Sequence, residues 1–141
     1  MSNISEIRTY LKSQVSALSS KYTEHKDAFD DENIPSQSID KTYFIKYQLN
    51  GTSSLGQGHG IFSASSEIKL YYRGITNPQD KYDEAMDFAF NLISKVLNPK
   101  NFIEPIKTAQ LTSGIPEPIY RNNNIITVTI SFNFDLIKSF S

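Results

Sequence analysis

An α+β fold, with an antiparallel sheet of four to five strands and two helices packed on it in the order α-β-β-α-β-β, follows from three features of this 141-residue chain. Apolar residues recur at three- and four-residue steps in two segments. Elsewhere they alternate at a period of two, and strand-like segments are grouped in pairs instead of interleaving strictly with helices. The length suits one domain, residues 1–141, built around one core.

In the first segment, Ile4, Ile7, Leu11, Val15, Leu18 and Tyr22 put one apolar edge on a helix. Asn3 followed by Glu6 fits a reciprocal N-cap. The polar stretch Thr23 to Ser38 carries Asp27, Asp30, Asp31, Glu32 and Pro35, which favour turns and predict the end of that helix. From Ile39 the period becomes two, with Tyr43, Ile45, Tyr47 and Leu49 on one face and Thr42, Lys46 and Gln48 on the other; Phe44 breaks the polar face. Asn50-Gly51 opens a ten-residue loop to Gly60 holding four of the six glycines, and Ile61 to Arg73 resumes as a strand with Ile68, Leu70 and Tyr72 on one face. Consecutive strands with no helix between them pair antiparallel, so a long hairpin with a mobile tip is expected.

The second helix is marked by Asn77 as cap, Pro78 at the first helical position, Asp80, Asp83 and Glu84 near the positive end of the dipole, and a stop at Asn98-Pro99. Its apolar arc runs broadly through Tyr82, Met86, Phe88, Phe90, Leu92, Ile93 and Val96. Such an arc needs burial by the sheet and by a second body, either the first helix or a neighbouring subunit. Beyond it, Phe102 to Leu111 reads as a strand interrupted by Pro105, and Ile115 to Arg121, with Pro116 and Pro118, belongs at an edge. Asn122 to Asn124 predicts a tight turn. The strand after it alternates Ile126, Val128, Ile130, Phe132 and Phe134 with Thr127, Thr129, Ser131 and Asn133, a pattern that places it centrally in the sheet.

Composition narrows the function. Fourteen basic residues against fifteen acidic ones, spread evenly over both halves, argue against avid binding to nucleic-acid phosphates. The absence of cysteine removes disulfides and thiol chemistry, and no apolar run reaches the ~18 residues of a membrane-spanning helix. The glycine-rich loop Gly51–Gly60 lacks a lysine and leads into a strand, so it fails the mechanism of a phosphate-binding loop. Its features, with Gly51, Leu55, Gly58 and His59, suit contact with a partner, as do Phe88 and Phe90 on the second helix. His25 and His59 have no second ligand at metal-like spacing, and Asp27, Asp30, Asp31 and Glu32 lack the spacing of a calcium loop. Strand tyrosines and phenylalanines fit a core face better than a base-stacking platform without a basic groove. The reading is of a non-enzyme without catalytic residue, cofactor or metal. Asp80, Asp83, Glu84 and Asp87 form an acidic stripe opposite the apolar arc, read either as a solvated face or as a surface that repels phosphate or meets a basic partner.

The arrangement as a whole resembles the tail terminator (tail completion) proteins of long-tailed bacteriophages. The resemblance is carried by an N-terminal helix, an acidic connection ending in Ile34-Pro35 and Ile39-Asp40-Lys41, a hairpin with a Gly/Ser-rich tip, a second amphipathic helix, and an Asn-rich turn into Ile125–Phe134. It implies a structural virion subunit in the neck region of the tail, assembled in the host cytoplasm into a homo-oligomeric, hexameric ring. That ring caps the head-proximal end of the tube, ends its polymerisation and joins the head connector. Its implied partners are further copies of itself, the tail tube protein and a head-proximal connector or neck protein. DNA passes through without specific binding, and no membrane is involved. On this reading Asp80, Asp83, Glu84 and Asp87 face the lumen or a basic partner. Another head-tail connector or neck protein shares the same element content; a small enzyme or a ligand-binding α+β domain would differ by a buried polar cluster or an apolar cavity.

Overall fold

The computed structural model describes residues 6–24, 40–56, 59–73, 78–104, 106–112, 119–121 and 125–139. Helix α1 spans Glu6–Leu18 and buries Ile7, Tyr10, Leu11, Gln14 and Val15, a helical-period stripe wider than the one expected because Tyr10 belongs to it. Asn3 lies outside the described residues. Tyr22 follows the helix instead of ending its stripe, and Thr23–Glu24 forms a two-residue strand, β1.

Strands β2 (Thr42–Gly56) and β3 (His59–Arg73) make the expected antiparallel hairpin. Its tip differs from the ten-residue loop that the glycines suggest. The ladder continues through Gly51↔Ser63, Leu55↔Gly60 and Gly56↔His59, with irregularities at Leu49/Gly51 and Thr52/Ser54. Glycines weaken a strand, but only Gly51 borders one of these irregularities, and Gly56 and Gly60 sit within the paired ladder.

Helix α2 spans Pro78–Leu97, starting and stopping where Pro78 and Asn98-Pro99 predict. A short 3-10 helix, Pro99–Asn101, follows, its cap Asn98 accepting from the Lys100 amide at 3.1 Å. Strand β4 (Ile106–Leu111) begins just after Pro105, β5 is Ile119–Arg121, and β6 is Ile125–Ser139, longer than its alternating core. The turn at Asn122–Asn124 and the cap Asn77 lie outside the described residues.

The order is therefore α-β-β-β-α-β-β-β, and the sheet has six strands where four to five were expected: β1-β2-β3-β6-β4, with β5 also on β6. It is mixed, because β1 pairs with β2 in parallel, Thr23 with Thr42 and Glu24 with Tyr43. The polar stretch hid this strand; two residues carry no periodicity. The four long strands β2, β3, β6 and β4 all pair antiparallel. Strand β6 is central, as its pattern indicates, and α2 connects β3 to β4 across it.

Both helices cover one sheet face. The core joins Tyr10, Leu11 and Val15 to Ala85, Ala89, Leu92 and Val96 and to Ile68, Leu70, Val128, Ile130, Phe132 and Phe134. The second body that α2 needed is α1, although Phe90 stays 42% exposed. On the opposite face Phe44 finds its partners in Tyr71 and Ile125, a small separate apolar cluster.

Candidate interaction surfaces

The acidic stripe of α2 lines an open groove of about 560 Å³. Its other wall comes from Ser19 and Lys21 beyond α1 and from Lys41 in the turn before β2, and Tyr22 and Phe88 lie at its base. Tyr22 stacks on Phe88 with centroids 4.0 Å apart and an interplanar angle of 15°. Its hydroxyl lies 2.7 Å from that of Tyr72 in a hydrogen bond. Burial pushes the Tyr22 phenol up to about 12, with the charges of Glu84 and Asp40 adding to the rise and the Tyr72 hydrogen bond opposing it. Tyr72 is raised in the same direction, again mainly by burial. These phenols therefore stay protonated at neutral pH and act as a structural floor, not as bases.

The stripe is not uniformly free. Glu84 receives Lys41 at 3.1 Å and Lys81 at 3.8 Å, and Lys81 also contacts Asp40 at 3.0 Å. Asp40 in turn accepts from the Arg73 amide at 3.0 Å, tying the turn to the end of β3. Lys41 sits at φ 57°, the left-handed region that a non-glycine residue occupies at some cost. Glu84 thus belongs to a chain of alternating charges, a correction to its place in a solvated stripe. Asp80, Asp83 and Asp87 are exposed, and Asp83 accepts from the Gln79 amide at 3.1 Å. What the groove offers chemically is three exposed carboxylates beside a neutralised network. Among the described residues, no group of three or more His, Asp or Glu is placed to hold a metal ion, and no helix is long and apolar enough to cross a membrane.

The other expected contact residues divide. Gly51 and Leu55 lie in the β2 ladder and His59 opens β3, whereas Gly58 and His25 fall outside the described residues. Phe88 is only 9% exposed and packs under Tyr22, so it is part of the core and not a partner surface; Phe90, two residues on, points to the opposite side and is accessible. Two apolar strand residues, only the first of which the alternation assigned to a strand, stand out instead. Leu49 shares the helix-facing side with Tyr43 and Ile45 yet is 48% exposed, because β2 has no further strand beside it at that height among the described residues, and Ile137 is 42% exposed on the other side. Beyond Tyr43, β2 has no strand on its outer edge among the described residues. The sequence hinted at this edge only through the length of its alternation; Asp40 and Lys41 carried no signal of their ionic role.

No family model and no curated protein matches the chain. Among solved structures, a match is the Capitella teleta acetylcholine-binding protein (AChBP) in complex with lobeline, at 12% identity and a TM-score of 0.28. The match covers 99% of this chain and 66% of that one, so the chain spans just under two thirds of its length. A likeness at that TM-score carries no argument about fold or function.

Proposed function

We propose that this chain is a non-catalytic virion subunit of the tail-terminator kind. It forms a hexameric ring that caps the head-proximal end of a phage tail tube and joins it to the head connector. The observation that carries the reading is the long β2 edge, unpaired beyond Tyr43 among the described residues and flanked by the exposed side chain of Leu49. An open edge of this length is a template for pairing with another chain, and natural proteins cover or blunt such edges. Ring closure through heterologous contacts covers such an edge on every subunit without leaving a free end. Four antiparallel strands backed by two helices are compatible with the small α+β subunit that the resemblance implies, β1 being a parallel addition at one corner.

Asp80, Asp83 and Asp87 supply the second support. A surface of exposed carboxylates suits a wall past which DNA slides or a docking face for a basic neighbour. The test is the native mass of the purified chain, alone and mixed with tail tube protein, together with the length of the tubes formed. A hexamer that shortens tubes or halts their growth is the expected result. A chain that stays monomeric at every concentration and leaves tube length unchanged overturns the proposal.

A further inference from the structure

We infer that the edge of β2 that has no neighbour beyond Tyr43 among the described residues is filled by strand β4 of a second copy of this chain, so that one sheet continues head to tail from subunit to subunit. The inference deepens the ring reading and rests on it. Three independent features of the sheet point to this occupant.

The first is direction. Strands β2, β3, β6 and β4 alternate without exception, each antiparallel to the next. With four long strands, the two outer ones run in opposite senses. A copy set beside the first therefore brings β4 against β2 antiparallel, and the alternation continues unbroken.

The second is height along the strands. Leu111 lies level with Phe132, Ser66 and Tyr47; Gln110 with Asn133, Ser65 and Gln48; Ala109 with Phe134, Ala64 and Leu49. Strand β4 is thus level with the stretch of β2 that has no neighbour among the described residues. The corners taken by small strands also match: β1 covers Thr42 and Tyr43, and β5 covers the Ile125–Thr127 end of β6, which is level with Arg73–Tyr71. Neither small strand stands in the way of a β4–β2 pair.

The third is side-chain matching. At equal height the incoming Leu111 and Ala109, both half-buried, fall beside Tyr47 and the exposed Leu49, which extends the helix-facing apolar layer across the junction. On the other face Gln110 falls beside Gln48, two amides that can donate and accept, and Lys46 falls beside Thr112, so no like charges oppose. A curved sheet closing into a ring needs a stagger, and a shift of two residues keeps every side chain on its face.

The chain has no cysteine, so engineered thiols report the contact cleanly. Gln48 and Gln110 are both exposed, and directly opposed residues of antiparallel strands have Cα atoms ~4.5–5.5 Å apart, within disulfide range. Gln48→Cys is mixed with Gln110→Cys and, to cover staggers of two, with Thr108→Cys or Thr112→Cys, then oxidised and resolved without reductant. The expected product is a heterodisulfide between Gln48→Cys and one of the β4 variants. Adding Leu49→Lys suppresses that product at least fivefold while leaving the circular dichroism and melting temperature of the subunit unchanged. A dominant Gln48→Cys homodisulfide means a two-fold β2–β2 pair and overturns the inference. No cross-link in a protein whose native mass is that of a ring overturns the inference and leaves the ring reading standing; no cross-link in a monomer overturns both.

Discussion

The phenol of Tyr10 donates a 2.7 Å hydrogen bond to the carbonyl oxygen of Val96, linking the middle of α1 to the last turn of α2. The last four carbonyls of a helix have no partner within it, and one of them is satisfied here by a side chain 86 residues away. The ring also meets Phe102 and Phe134 edge-on, at centroid distances of 6.1 and 6.2 Å.

Tyr10→Phe keeps those ring contacts and removes only the donor, so the expected destabilisation is about 1–2 kcal/mol. Tyr10→Ala also empties a fully buried site and is expected to cost about 3–5 kcal/mol. Urea unfolding measures both. Equal losses for the two variants would mean that the hydrogen bond, not the packing of the ring, accounts for the whole effect, contrary to this assignment.

High pH provides a second test. The phenols of Tyr10, Tyr22 and Tyr43 are each pushed up to about 12, chiefly by burial. In the unfolded chain they lose their protons near pH 10. Between those values the native state holds more protons than the unfolded state, so stability is intact below about pH 10 and falls as pH climbs through about 12. Denaturant midpoints measured from pH 8 to 12 should decline over that window, and Tyr22→Phe should make the decline shallower. A flat profile in the parent protein would refute the burial of these hydroxyls.

Legibility from sequence followed periodicity. The arc of α2, the alternation of β6 and the Pro78 start are all dictated by spacing that survives in the fold. Tyr10 escaped although it stands three residues after Ile7, because at ~100° per residue it falls beside the narrow edge traced by Ile7, Leu11 and Val15; a distant carbonyl partners its hydroxyl and makes its burial favourable. Strand β1 escaped because its two residues are fixed by tertiary contacts, the Thr23 amide to the Lys41 carbonyl at 3.0 Å and Glu24 to Arg8. The glycines of the hairpin signalled flexibility, but a ladder on both sides of β3 overrides local propensity there. The acidic stripe was legible as a stripe, whereas its division into a neutralised Glu84 and three exposed aspartates depends on Lys41, which a turn delivers from another element.

The Arg8–Glu24 pair should hold β1 in place. The guanidinium meets the carboxylate through two nitrogens, at 3.1 and 2.6 Å, while Lys12 approaches at 3.7 Å and the Glu24 side chain is only 10% exposed. Two-pronged pairs of this kind exceed ordinary surface ion pairs in strength and geometric specificity. Glu24→Gln is expected to cost about 1 kcal/mol and to speed hydrogen exchange at the Thr23 amide well beyond its effect on the β3 amides. Uniform acceleration across the sheet would show global destabilisation and no local tether.

The exposed aspartates make the final prediction. Replacing Asp80, Asp83 and Asp87 together by Asn removes three negative charges without touching the Glu84 network, and the cost to the helix is limited to the dipole interaction of the first turn, about 0.3–1 kcal/mol at Asp80. If these carboxylates keep DNA from adhering, the triple variant binds duplex DNA at low salt where the parent does not, and added salt abolishes the gain because the attraction is electrostatic. If they instead meet a basic partner, the variant loses that partner's binding with the same salt dependence and gains no affinity for DNA. Unchanged behaviour toward both DNA and partner proteins would reduce the stripe to a solvated face.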